Sequence, residues 1–332
     1  MNKKGDVSLL FKWIFGIIAG AVILMFLFKF AGIHIGGEQA LEGNKFLVSV
    51  DDKLDAFGIG EGSDIFDLKD EFLLGVQCGE FSVNEETSEN YFARETDKVV
   101  FAPSSLKGDN LHVWTKKWYF PYGVTMFFYL NNPQNRILIV SDANKIEEVG
   151  NFVKKIPQHF SVQVTTKQLF NPASFSSQAK GSDKITVVFF GTSTYSVNDL
   201  KSQYGNNLNI EIIQVNLEDN TAKIYDNYGG VEDVFFLGDE MLYGLIFSGS
   251  GYECTKDIAL NRLNTLTRIY IEKVNRLAGK TSETKCVDSL VQSRILLEKY
   301  STTLTKNEFY SLMEQIEKQN NKLEKEGCTT IY

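Results

Sequence analysis

The sequence predicts a mixed-sheet α/β or α+β domain, preceded by one N-terminal transmembrane helix and closed by a C-terminal antiparallel helical segment. Three observations carry that expectation. Trp13 to Phe28 is an uncharged run held between Lys12 and Lys29. From Arg136 onward, short apolar runs alternate with helical patterns. From Thr255 to the end, apolar residues recur at helical spacing.

The N-terminal run comes first. As a helix it covers about 24 Å, somewhat short of a hydrocarbon core near 30 Å. The stems of Lys12 and Lys29 can lie along the helix and keep their charges in the headgroups, so a span over residues 9–33 is expected, with the lipid bilayer as its partner. Lys3, Lys4 and Lys12 precede the run, whereas Glu38, Glu42, Asp51 and Asp52 follow it. The positive-inside rule then keeps residues 1–8 in the cytoplasm and exports the rest from a single-pass anchor in the cell membrane. A cleaved secretory signal is the rival reading. It needs a shorter apolar region and a small-x-small site, which Phe28-Lys29-Phe30-Ala31 does not supply.

Cysteine usage agrees with export. The four cysteines, Cys78, Cys254, Cys286 and Cys328, all follow the run, and none has C-x-x-C spacing. An oxidising compartment makes disulfides their default state. The net charge is −8, and residues 41–251 hold 29 acidic against 17 basic side chains. That balance argues against nucleic acid as a partner, because nucleic acid is bound through clustered Lys and Arg.

Residues 34–62 read as a Gly-bearing stalk and a short helix, with Phe46, Leu47, Val50, Leu54 and Phe57 at helical spacing. Residues 63–251 read as the mixed domain. Strands are expected over Phe72 to Val83 and Lys98 to Ala102, and Leu111 to Leu130 is the most aromatic segment of the chain. Arg136 to Val140, Ser161 to Thr166 and Lys184 to Phe190 follow as strands. A helix ending at Ile156 separates the first two, and after the third another helix opens on the capping pair Ser196 and Asp199. Asn209 to Asn216 and Ala222 to Tyr225 suggest one hairpin. Val234 to Leu237 and Leu242 to Phe247 suggest another, turning at Gly238-Asp239-Glu240. Residues 252–332 form the helical segment, in which Thr305 and Glu308 make a capping box.

Antiparallel helices select among the cysteine pairings. The first tail helix begins beside Cys254 and runs roughly 36 Å, so Cys286 at its far end is out of reach of Cys254. The third helix returns to finish at Cys328. The expected bonds are Cys286–Cys328 and, by elimination, Cys78–Cys254.

No stretch identifies a reaction. Gly191-Thr192-Ser193-Thr194-Tyr195 approaches the strand–G-x-S-x-G–helix elbow of a serine nucleophile. Tyr195 replaces the last glycine, however, and no histidine follows position 159, so a capped helix start explains it better. His34, His112 and His159 are isolated, with no metal-ligand spacing. No catalytic residue, cofactor or metal site is assigned. The best ligand candidates are the strand-end loops carrying Asp142, Thr192, Ser193 and Ser250, because open α/β sheets bind ligands beyond the carboxyl ends of their strands. The aromatic segment around Trp114, Trp118, Tyr119, Phe120 and Tyr122 is either core or a carbohydrate or partner platform.

Residues 1–30, with Lys3-Lys4-Gly5-Asp6 ahead of the apolar run, resemble archaeal class III signal peptides, the type IV pilin-like leaders. The resemblance implies cleavage after Gly5 and an apolar helix that packs into a filament or stays in the membrane. Leu10, where bacterial pilins carry glutamate, and Lys12 depart from the pattern. Together these readings lead to an anchored extracytoplasmic protein with a structural or interaction role in a cell-envelope assembly, with a protein partner there. The alternatives are a tethered receptor for a small ligand or carbohydrate, and a pilin-like filament subunit.

Overall fold

The apolar spacing in residues 46–57 produces a helix, α1 (43–57), whose Leu47, Val50 and Leu54 are buried. This and everything below come from a computed structural model that describes residues 15, 17–25, 43–67, 72–85, 91–172, 181–191, 195–204, 208–302 and 306–332. After α1 come β1 (Gly62–Asp67), β2 (Phe72–Gln77), β3 (Glu80–Glu85), β4 (Tyr91–Glu95), β5 (Val99–Phe101), β6 (Ser105–Leu106), β7 (Asn110–Tyr119) and β8 (Gly123–Asn131). They form two four-stranded sheets, ordered β1-β7-β8-β5 and β4-β3-β2-β6. Strand β7 shows how one sheet serves two cores. Its Leu111 and Val113 face α1 and the β2–β3 hairpin, while Trp114 and Trp118 face the rest of the molecule.

The second half is a doubly wound sheet. Its elements are β9 (Asn135–Ser141), α2 (Ile146–Val153), β10 (Val162–Thr166), β11 (Lys184–Phe190), α3 (Val197–Tyr204), β12 (Asn209–Asn216), β13 (Thr221–Tyr225) and β14 (Val231–Phe235). The strand order is β10-β9-β11-β12-β13-β14. The first four strands are parallel, and β13 and β14 are added by antiparallel pairing, β12 with β13 and β13 with β14. All seven residues of β11 are buried, as a central parallel strand covered on both faces requires. Val149 and Phe152 of α2 pack on one face of this sheet, and Val197 and Leu200 of α3 on the other.

Helix α4 (Gly238–Ser248) then crosses the molecule between the aromatic face of β7–β8 and the doubly wound sheet. The tail follows as α5 (Tyr252–Lys280), α6 (Thr284–Thr302) and α7 (Lys306–Lys325). Cys78 and Gly79, both at positive φ, make the two-residue turn between β2 and β3. That tip is tied to the start of α5 by Cys78–Cys254, with Cα atoms 5.3 Å apart. Cys286–Cys328 joins the start of α6 to the end of the chain across 5.6 Å. Closing its 42-residue separation stabilises the tail by about 4 kcal/mol on a chain-entropy argument. Two disulfides place the protein in an oxidising, extracytoplasmic compartment.

Two expectations need correction. Among the described residues no helix is long and apolar enough to cross a membrane. The anchor over 9–33 is therefore withdrawn, and with it the inside–outside topology it supported. Lys12, Trp13, Phe28 and Lys29 themselves lie outside the described residues, as do the stalk over 31–42 and Thr305. The second correction is that Leu242 to Phe247 is not a strand. It belongs to α4, in which every residue from Met241 to Ser248 is buried. A continuous apolar run fits a buried strand and a buried helix equally, and burial on all sides of α4 decides for the helix.

The aromatic segment is core rather than platform. Trp114, Trp118, Phe120 and Tyr122 are all buried, and only Tyr119 is exposed. Trp118 Nε1 donates to Leu237 O, Tyr129 Oη to Glu240 O and Tyr243 Oη to Phe152 O. These polar tips are satisfied by α4 and its neighbours, as buried tyrosine and tryptophan require.

Candidate functional site

Strand β9 is the first strand of the doubly wound half, and the chain leaves it in one direction and β11 in the other. The β9–α2–β10 crossover covers one face of the sheet, and β11–α3–β12 covers the opposite face. The crevice at this reversal lies beyond the carboxyl ends of β9 and β11, the position at which open α/β sheets take ligands.

Asp142 follows β9 and Gly191 follows β11, and the structure brings them together. A Cβ on Gly191 would stand 3.0 Å from Asp142 Oδ2 and 3.4 Å from Lys167 Nζ, and Gly191 has φ of +112°. Both facts call for glycine. Lys167, just past β10, holds Asp142 Oδ1 at 2.9 Å, and its backbone N–H donates to Ser141 O. Lys145 sits at the start of α2, where its N–H donates to Asp142 O and its Nζ reaches Glu218 Oε1 at 3.5 Å. Glu218 is oriented by the β12–β13 turn, in which Asn216 Oδ1 accepts from the backbone N–H groups of Glu218 and Asp219.

Beside these pairs opens a cleft of about 340 Å³. Phe190, Val215, Leu217 and Ala222 give it apolar walls, and Lys145, Gln214, Asn216 and Thr221 give it polar ones. Lys223 and Asp233, paired at 3.1 Å, close its outer side. The hydrogen bond to Asp233 raises the pKa of Lys223 above the usual lysine value, so this lysine stays charged. A smaller hollow of about 270 Å³ shares Phe190 and Leu217 and extends toward Lys155 and Asp239. Apolar walls with a few convergent polar groups suit a small polar ligand that carries one apolar face.

Of the loop residues singled out by sequence, Asp142 lies at this crevice, next to Gly191. Thr192 and Ser193 follow Gly191 in the chain and lie outside the described residues. Ser250 is elsewhere, and its assignment to the carboxyl edge is corrected. It rested on Leu242 to Phe247 being a strand. Ser250 instead follows α4 and meets the amino ends of β11 and β12, where its hydroxyl donates to Glu211 Oε1 at 2.6 Å. Sequence reasoning did not single out Lys145, Lys167, Gln214, Asn216 or Glu218. Each sits in a turn or strand whose partner becomes visible only once the strand order is known.

Among the described residues no group of three His, Cys, Asp or Glu side chains could hold a metal ion. His112 and His159 do meet, with ring centroids 5.1 Å apart, but between β7 and the 3₁₀ turn Gln158–Phe160, away from the crevice residues.

No family model, curated protein or solved structure matches this chain. The functional reading therefore rests on the crevice alone.

Proposed function

We propose that the protein is an extracytoplasmic binding protein that takes a small polar ligand at the carboxyl edge of its doubly wound sheet. The observation that supports this reading is the 340 Å³ cleft beyond the carboxyl ends of β11 and β12, beside the point where the strand order reverses. Its Lys145–Glu218 and Lys223–Asp233 pairs offer donors and acceptors at the mouth. The test is a thermal-shift screen of the full-length chain against amino acids, nucleotides and monosaccharides. One class should raise Tm in a concentration-dependent way, and Thr221→Trp, which fills the cleft, should abolish that shift. A shift that survives Thr221→Trp, or no shift from any class, refutes the reading.

A role as a subunit of a cell-envelope assembly, pilin-like or otherwise, is favoured by a different observation. In the stretch over 17–25, Ile17, Ile23 and Met25 are all more than half exposed, as is Phe15. An apolar patch of this kind marks a surface that a partner covers. Crosslinking in native envelopes, with a photoreactive residue at position 23, should trap a discrete protein adduct. Its absence removes this second reading.

A further inference from the structure

The face of the sheet that carries α3 is only partly covered. Helix α3 is eight residues long and packs Val197 and Leu200 over β11 and β12. Beyond it the same face of β12–β13 is open. Ile212 pairs with Tyr225 and Gln214 with Lys223 across the two strands, and directly opposed residues share a face. Between α3 and this open face lies a second cavity of about 630 Å³. Gln214 lines both this cavity and the 340 Å³ cleft, so the two are consecutive sections of one trough. From Asn216 to Ile212 the floor alone runs about 14 Å.

The lining differs from the rest of this acidic protein. Among the described residues, three tyrosines (Tyr195, Tyr225, Tyr228) and three amides (Asn198, Gln214, Asn227) line the cavity, and no carboxylate does. Tyr228 is 94% exposed, with its ring at the mouth rather than in the core. Tyr225 Oη donates to Gln214 Oε1 at 3.3 Å, which fixes the amide at the junction. The one cationic side chain among the described lining residues, Lys201, is engaged with the Asn227 carbonyl. Tyrosine faces suit the C–H face of a sugar ring, and side-chain amides supply a donor and an acceptor for adjacent hydroxyls. A cation would have no counter-charge here, and a polyanion would find a single lysine.

We infer that the trough binds a neutral oligosaccharide, with one unit in the 340 Å³ cleft and the following units across Gln214 onto Tyr225 and Tyr228. This inference rests on the cleft being a ligand site. The test is a glycan array probed with the full-length chain. Because the N-terminal run is apolar, the buffer uses a detergent without a sugar headgroup. Calorimetric titration then compares the best hit as monosaccharide, disaccharide and tetrasaccharide. Affinity should rise at least tenfold with length, and Tyr228→Ala should remove that gain while leaving the monosaccharide unchanged. Thr221→Trp should abolish both. Equal affinity at all lengths, or a gain that survives Tyr228→Ala, overturns the second subsite while leaving a Thr221-dependent cleft standing. No binding to any glycan overturns the oligosaccharide inference. In that case a non-sugar ligand lost in Thr221→Trp keeps the cleft as a site, and the absence of any ligand removes both.

Discussion

Replacing Lys184 by methionine removes one half of an ion pair sealed beneath the doubly wound sheet. Lys184 Nζ lies 2.6 Å from Glu211 Oε2, and the two side chains are 7% and 5% exposed. Glu211 Oε1 accepts from the Ser250 hydroxyl and backbone N–H, at 2.6 and 3.3 Å. In the variant the carboxylate keeps only those two donors in a site that excludes water. Breaking a buried pair from one side costs about 3–5 kcal/mol. At ~2.1 cal/mol/K per residue the unfolding entropy is about 0.7 kcal/mol/K, so Tm should fall by about 4–7 °C in scanning calorimetry. The double variant Lys184→Met/Glu211→Met removes both charges and should recover most of the loss, since apolar replacement of a whole buried pair is often neutral. A single variant within about 1 °C of the parent, or a double variant no better than the single, refutes the argument that desolvated charge dominates at this site.

Two further outcomes follow from burial elsewhere. Burial, together with the charge of His159, pushes the His112 pKa below the ordinary histidine value, and burial does the same for His159 against the opposing pull of Asp64. His112 Nδ1 and His159 Nε2 are buried without a partner, and the Phe160 ring packs against both imidazoles. The folded state thus binds fewer protons than the unfolded chain, so stability is full above about pH 6.5 and declines as pH falls through and below it. Urea midpoints at pH 7.5 and 5.0 should show the decline, and His112→Gln should flatten it; equal slopes would assign the acid sensitivity elsewhere. Gly244 lets α4 approach β5 so closely that a Cβ would stand 2.7 Å from the Phe101 ring. Gly244→Ala should therefore cost about 1–3 kcal/mol through overpacking, despite a gain of ~1 kcal/mol in helix propensity; a raised Tm refutes the close contact.

Residues whose role depends on their neighbours in sequence were legible without coordinates. The 3.6-residue spacing of Ala259, Leu263 and Val274 gives α5, and antiparallel helices leave Cys286 beside Cys328 and away from Cys254. The capping pair is likewise local, with Ser196 N–H and Oγ both donating to Asp199 Oδ2. β-Strands over Arg136 to Val140 and Lys184 to Phe190 follow from short β-rich apolar runs. Asp142 was legible as a strand-end residue for the same reason.

What depends on long-range placement was decided by the tertiary structure. Met241 to Phe247 is apolar on every side, so its periodicity carries no signal. It becomes a helix because the aromatic face of β7–β8 and the doubly wound sheet enclose it. That single reassignment moved Ser250 from the carboxyl edge of the sheet to its amino edge. The order β10-β9-β11-β12 is what sets Asp142 against Gly191 and leaves β13 open beside α3, and no local pattern encodes strand order. The sequence by itself determined most of the strands and helices outside that segment, the pairing of its cysteines and the oxidising compartment they imply. The cleft and the trough arose only when segments many residues apart were packed against one another, because a binding surface is made by pairings that hydrophobic periodicity does not specify.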